Sequence, residues 1–371
     1  MSQSFIPISE PSIGSREEEL VLAAVRSGWV SSIGEYIDRL ESVFANFCSV
    51  KHAIAVSNGT TALHLALASL GIGPGDEVIV PDLTFVATAN AVAYLGATPV
   101  LADVEPDTLC ISPSSIAKNI STRTKAVIPV HLYGHPADMD EIQNIATTSG
   151  IKVVEDAAEA HGAEYKSRRV GGLSDCAIFS FYGNKIVTTG EGGVLTTNDD
   201  SIASKARHLR DHAMSKQRRY WHDELGFNYR MTNLQAALGV AQMERIKEFI
   251  EKRAEIMQWY RELLDLTESV RLNATKNWAK SVYWMVCLEV DWFDEIARDR
   301  FMQELRTRGI DTRPYFCTLS SMPMYAQVPL PIAARKSQIG LNLPCYFKLS
   351  RIQVERIARE VNSVLDEMRP Q

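Results

Sequence analysis

From residue 53 onward, short apolar runs rich in β-branched residues alternate with segments whose apolar positions recur every three or four residues. The runs fall at Ala53–Val56, Glu77–Val80, Thr98–Ala102, Ala126–Val130, Lys152–Val154, Ala177–Phe181 and Gly193–Thr196. Helical spacing fills most of the gaps, at Thr61–Leu70, Thr84–Leu95, Ala137–Ser149 and Ile202–Arg210. Such alternation predicts an α/β fold with a mostly parallel central sheet covered by helices on both faces. Ligands of such sheets bind beyond the carboxyl ends of the strands. Asp156, the turn Ser57-Asn58-Gly59-Thr60 and the turn Pro81-Asp82-Leu-Thr84-Phe85 all fall there.

Two helices are expected ahead of the first strand. Ser15 and Glu18 form a capping-box pattern before Leu20, Val21, Ala24 and Val25, and Gly28 ends that helix. Glu35 to Cys48 reads as an amphipathic helix with Tyr36, Leu40, Val43, Phe44 and Phe47 on one face. After residue 212 the alternation stops. Residues 213–230 are polar and aromatic with little periodicity, which predicts a functional loop. Thr232 to about Leu264 reads as one long helix with room for a single break, and a smaller αβ segment follows.

Composition narrows the function classes. The chain has 371 residues, 46% of them apolar, enough for a large and a small domain. A net charge of −6 argues against nucleic-acid binding, while leaving room for a local basic pocket. The six cysteines contain no Cys-x-x-Cys pair, which fits reduced thiols in a cytoplasmic protein. The N-terminus shows no signal-peptide pattern, and no apolar run is long enough to predict a membrane span.

The candidate chemistry centres on Lys185, which follows the apolar run ending at Phe181, and Asp156, at the end of another strand. A lysine that can form a Schiff base, opposite a carboxylate that keeps a pyridine nitrogen protonated, is what pyridoxal phosphate chemistry requires. Either residue alone has a bland reading, as a surface lysine or a turn aspartate. Burial and the absence of a close carboxylate are expected to lower the lysine pKa. Ser57-Asn-Gly59-Thr60 opens an Ala/Leu-rich helix whose N-terminus could bind a phosphate; an ordinary helix cap is the alternative. Phe85 could stack on a planar ring or sit in the core. Ser180 is five residues before Lys185, within one turn's reach of the same pocket. Gly71-Ile-Gly73-Pro-Gly75 follows a helix and precedes a strand, so it reads as a turn rather than a dinucleotide fingerprint. His131 and His135 lie four apart on a strand-to-turn segment, where two imidazoles do not converge, so no metal site is expected.

Taken together and in this order, several stretches resemble the sugar aminotransferases of the DegT/DnrJ/EryC1/StrS family, which are fold-type I pyridoxal phosphate enzymes. They are Ser27-Gly-Trp-Val-Ser-Ser32, Ser57-Asn-Gly-Thr60, Thr84-Phe-Val-Ala-Thr-Ala-Asn90, Glu155-Asp-Ala-Ala-Glu-Ala160, Ser180-Phe-Tyr-Gly-Asn-Lys185, Thr189-Gly-Glu-Gly-Gly193 and Gly226-Phe-Asn-Tyr-Arg-Met-Thr232. The resemblance implies a large cofactor-binding domain over residues 1–245 and a small C-terminal domain over residues 246–371. It implies pyridoxal 5'-phosphate in a Schiff base with Lys185, a pyridoxamine phosphate form, and Asp156 as pyridinium partner. Glu159, where many relatives carry Gln, would lie near the ring hydroxyl, and Phe85 would stack on the ring. Gly59, Thr60 and Ser180 would hold the phosphate. Asn228 would reach the phosphate of the partner subunit's cofactor in a homodimer with shared active sites.

Trp29-Val-Ser-Ser32, His131-Leu-Tyr-Gly-His-Pro136, Phe181-Tyr-Gly-Asn184, Tyr220-Trp-His-Asp223 and Met322-Pro-Met-Tyr325 resemble those members that aminate C4 of GDP-4-keto-6-deoxy-D-mannose with L-glutamate as donor. Trp29, Ser31, His222, Arg313 and Tyr315 are the implied substrate contacts, and UDP- or dTDP-linked keto sugars are the alternative acceptors. Thr318 and Ser320 stand where the family pattern has proline and histidine, and residues 345–348 also depart from it, which leaves the acceptor open. Cofactor-dependent sugar dehydratases resemble the family but lack the lysine, so Lys185 argues against that activity.

Overall fold

In a computed structural model that describes residues 5–326 and 328–370, the apolar runs line up as one seven-stranded sheet. In chain order its strands are β1 (His52–Val56), β2 (Glu77–Pro81), β3 (Thr98–Ala102), β4 (Thr124–Val127), β5 (Lys152–Asp156), β6 (Cys176–Ser180) and β7 (Gly193–Thr197). In space they run β1-β7-β6-β5-β4-β2-β3. The five strands from β6 to β3 are parallel, and β7 is antiparallel to both β1 and β6. Both faces are buried. Along β1, Ala53 and Ala55 join one apolar cluster while Ile54 and Val56 join the other; along β6, Ala177 and Phe179 oppose Cys176 and Ile178.

The helices follow the expected pattern with local shifts. Helix α1 (Ser15–Ser27) is capped one residue earlier than the Ser15/Glu18 reading: the Gly14 N–H donates to the Glu17 carboxylate at 2.9 Å. Gly28 ends it with a left-handed φ of 77°. Helix α2 spans Glu35–Cys48 and α3 spans Gly59–Ser69. Helix α4 (Ala87–Tyr94) begins later than expected, because Thr84 to Val86 are spent turning away from β2. Helix α5 (Pro113–Asn119) was not foreseen: Ile116 is its one buried residue, too few for a periodic signal. Helices α6 (Met139–Ser149) and α7 (Asp200–Arg210) complete the layers. The long helix does break once, at Arg245 (φ −111°, ψ 2°), into α8 (Asn233–Glu244) and α9 (Ile246–Leu263). Gly71 and Gly75 both take left-handed conformations between α3 and β2, as a turn requires.

The C-terminal third forms an antiparallel sheet of β8 (Val270–Leu272), β9 (Val286–Val290), β10 (Arg313–Pro314) and β11 (Gly340–Leu343), in the order β8-β9-β11-β10. Helix α9 packs here with α10 (Glu295–Thr307) and α12 (Arg351–Met368), through Tyr260, Phe301, Leu305, Val361 and Leu365. Helix α11 (Pro331–Ile339) leads into β11. Ile6 bridges to Ile310, tying the N-terminal segment to this unit. Residues 213–230 form an exposed arm, folded back by a Met214–His222 bridge and carrying Tyr220 and Trp221 at its tip. No helix among the described residues is long and apolar enough to cross a membrane.

Candidate active site

A cavity of about 360 Å³ opens at the carboxyl ends of β5 and β6, bounded by the N-terminus of α3. The neighbouring registers of β5 and β6 place Asp156 beside Ile178, and the cavity takes in Asp156, Ser180 and Lys185. Asn58 caps α3 by accepting the Thr61 N–H at 2.8 Å. Among the described residues, the Gly59 and Thr60 N–H groups meet no protein acceptor. A Cβ on Gly59 would stand 2.8 Å from the Ser180 Cβ. Glycine is therefore what lets the helix end and the β6 end approach, leaving two free donors and the Ser180 hydroxyl at one point. That donor set fits a phosphate.

Asp156 is buried at the cavity wall. The Thr88 hydroxyl donates to its Oδ2 at 2.9 Å and the Ala158 N–H to its Oδ1 at 3.2 Å. Burial raises its pKa, and these two bonds only partly offset that. A buried carboxylate supported by neutral donors matches a cationic ring nitrogen. The Lys185 amine lies 3.5 Å from Glu159 Oε1 and 3.9 Å from the centre of the Trp284 ring. The expectation of no nearby carboxylate is thus corrected: Glu159 is close, because it sits one turn beyond Asp156. Its other oxygen accepts the Tyr133 N–H at 2.9 Å. The lysine pKa is nevertheless lowered, because desolvation outweighs the pull of Glu159 and Asp156. Burial likewise raises the Glu159 pKa, with Lys185 opposing.

Phe85 lines the same cavity and is 54% exposed, so it is not a core side chain. Its ring is 5.8 Å from that of Phe316. The remaining expected residues do not line this cavity within the single chain. Asn228 is exposed, accepts Arg230 Nε at 3.1 Å and pairs with Asp211. It does not cap α8, since Thr232 does, accepting the Gln235 N–H at 3.2 Å. The Trp29 and Ser31 carbonyls accept the Asn233 side chain and N–H at 2.7 and 2.6 Å. His222 Nδ1 donates to the His212 carbonyl at 2.7 Å. Arg313 pairs with Asp311 at 2.6 Å. Tyr315 is 2% exposed, packs at a tilt against Tyr133 and lines a separate cavity of about 300 Å³.

His131 and His135 each have both nitrogens committed. His131 Nδ1 accepts the Ala137 N–H and its Nε2 donates to Glu155, each at 3.0 Å. His135 Nδ1 donates to the Pro136 carbonyl and its Nε2 accepts the Lys276 N–H. No lone pair is left for a metal on either ring.

Sequence reasoning missed Thr88, Tyr133, Trp284 and Phe316. Thr88 stands one helical turn after Thr84, a signal that was available. Tyr133 takes a left-handed φ of 52° that nothing in its neighbours announces. Trp284 and Phe316 arrive from the C-terminal third, and no local pattern links them to Lys185.

Residues 11–362 match the DegT/DnrJ/EryC1/StrS aminotransferase family. The chain is 46% identical to GDP-perosamine synthase of Caulobacter vibrioides over 364 residues, covering 97% of this chain and 98% of that protein. It is 42% identical to GDP-perosamine synthase of Escherichia coli O157:H7 over 360 residues, covering 96% and 98%. The PLP-form of the putative sugar aminotransferase Spr1654 from Streptococcus pneumoniae superposes with a TM-score of 0.94 at 26% identity, covering 99% of this chain and 100% of that one.

Proposed function

This chain belongs to the DegT/DnrJ/EryC1/StrS aminotransferase family of pyridoxal-phosphate-dependent enzymes, and we propose that it transfers the amino group of L-glutamate to C4 of GDP-4-keto-6-deoxy-D-mannose, giving GDP-perosamine. The observation that carries this reading is the convergence of Lys185, Asp156 and the Gly59–Thr60–Ser180 donors in one cavity. The likeness to GDP-perosamine synthases supports the choice of acceptor.

Pyridoxal phosphate, when bound, supplies an electron sink for a carbanion at the carbon that carries the amine. The N–H groups of Gly59 and Thr60 and the Ser180 hydroxyl would hold its phosphate. Asp156 would keep the pyridine nitrogen protonated, and the Thr88 and Ala158 bonds keep that carboxylate aimed. Phe85 would cover the ring, and Glu159, anchored by Tyr133, would meet the ring hydroxyl. Lys185 would anchor the cofactor and then carry the proton between the substrate carbon and the cofactor. Burial lowers the lysine pKa, a shift toward the free amine that this work needs. Glutamate leaves as 2-oxoglutarate before the keto sugar enters, so ping-pong kinetics follow.

Purified holoenzyme with glutamate and a panel of GDP-, UDP- and dTDP-linked 4-keto-6-deoxy sugars tests the reading. The GDP-linked sugar is expected to show a kcat/KM at least about tenfold above the others. Preference for another base overturns the acceptor assignment. A protein whose yellow colour does not fade with glutamate is a binder rather than an aminotransferase.

Asn228 is exposed and outside the cavity of its own chain, which supports a role across a homodimer interface. Mixing Lys185→Ala and Asn228→Asp subunits separates the possibilities. Each homodimer is expected to be inactive or weak. If Asn228 reaches the partner's phosphate, a hybrid dimer keeps one intact site and recovers about half of wild-type activity. Verified hybrids that stay at the homodimer background refute sharing.

A further inference from the structure

The residue after β2, Asp82, is fully buried; its N–H donates to the Ala102 carbonyl in β3, while its carbonyl and carboxylate accept from a segment more than two hundred residues away. Its carbonyl accepts the Leu319 N–H at 2.8 Å, its Oδ1 the Ser320 N–H at 2.7 Å and its Oδ2 the Ser320 hydroxyl at 2.8 Å. Leu83 bridges to Thr318 beside them. At the end of the adjacent strand β3, Asp103 does the same for the next stretch, accepting the Ile332 and Ala333 N–H groups at 3.2 and 2.9 Å. Two carboxylates at neighbouring strand ends therefore pin the strap that runs from β10 to α11.

The pinned strap carries Phe316, and the turn that pins it carries Phe85. Phe85 follows Asp82 by three residues; Phe316 precedes Ser320 by four. The two rings, 5.8 Å apart and tilted by 55°, both line the cavity. Phe316 is also fixed from behind: its N–H donates to the Tyr133 hydroxyl at 3.1 Å and its ring stacks on Tyr133 at 5.5 Å. Glutamate is small enough to be held inside the cavity. A nucleotide-linked sugar is much larger than glutamate, and Phe316 is where the strap borders the cavity.

We propose that Asp82 and Ser320 form a positioning clamp that sets Phe316 against Phe85 and thereby selects the sugar acceptor. The proposal rests on the aminotransferase reading above. Neither residue lines the cavity, so their effect on chemistry is indirect. The Ser320 hydroxyl is short enough to close on the buried aspartate.

The test uses full-length holoenzyme carrying Ser320→Ala, Ser320→Thr or Asp82→Asn, with the two half-reactions followed separately. Ser320→Ala is expected to raise KM for the preferred keto sugar about tenfold, the usual effect of one hydrogen bond to a charged group. The glutamate half-reaction should stay within about twofold, and Ser320→Thr should recover most of the loss. Equal losses in both half-reactions, or an unchanged sugar KM, overturn the proposal. Hydrogen exchange gives a readout free of activity. The Leu319 and Ser320 amides should exchange at least about tenfold faster in Asp82→Asn while β2 amides do not change. If wild type accepts no keto sugar, the acceptor reading has failed, and the exchange result alone decides whether the clamp exists. Unchanged exchange removes it.

Discussion

Lys185→Ala is expected to yield a folded protein that binds pyridoxal phosphate without turning over any sugar. The amine is half enclosed by Trp284 and Glu159, and no second lysine lines the cavity among the described residues. Loss of the amine removes both the covalent anchor and the proton carrier. The fall in kcat should therefore reach at least about 10⁴-fold, the upper end of what one positioned acid–base group contributes. Borohydride reduction followed by peptide mass analysis gives an independent check. Wild-type protein should retain the cofactor on the peptide containing Lys185, and the variant should release all of it. Substantial transamination by the purified variant would remove Lys185 from the mechanism.

Asp156→Ala should be the second most damaging change. The variant is expected to hold the cofactor through the phosphate donors at Gly59, Thr60 and Ser180, which the substitution does not touch. Its kcat should fall by several orders of magnitude, because an unprotonated pyridine is a poor electron sink. Burial raises the pKa of this carboxylate in the bare chain. A cationic nitrogen opposite reverses that shift, so carboxylate and pyridinium stabilise each other's charge. Cofactor affinity measured by equilibrium dialysis, beside single-turnover rates with glutamate, separates binding from chemistry. A near-normal rate would mean that another group protonates the ring.

The strands and the strand-end residues were legible because parallel α/β units announce both at once. Asp156 and Gly59 follow apolar runs, and a sheet of this kind puts its ligands there. Glu159 was not legible as a neighbour of the lysine, since that contact depends on how the chain turns after β5. Phe85 was open between core and cavity; the late start of α4 leaves it in the cavity. The far wall was illegible. Trp284 meets Lys185 and Phe316 meets Phe85 through tertiary contacts, with Tyr133 packed behind both, and nothing in their local periodicity differs from ordinary core aromatics. The same holds for Asp82, which reads as a turn residue until Ser320 is seen upon it. In residues 345–348, Cys345 and Tyr346 are buried and Phe347 meets Phe249 edge-on, while Lys348 pairs with Glu10.

The roof over Lys185 is made late. Asp156, Ser180 and the N-terminus of α3 all precede the lysine or lie near it in the chain. Trp284 is placed by a bond from its N–H to the Tyr133 carbonyl and another from Arg253 to its own carbonyl, at 3.1 and 2.7 Å. A nascent chain that has not yet reached Trp284 thus holds every polar group of the cradle, yet lacks the ring that lies over its amine. The ring beside the amine therefore arrives later in synthesis than every group it serves.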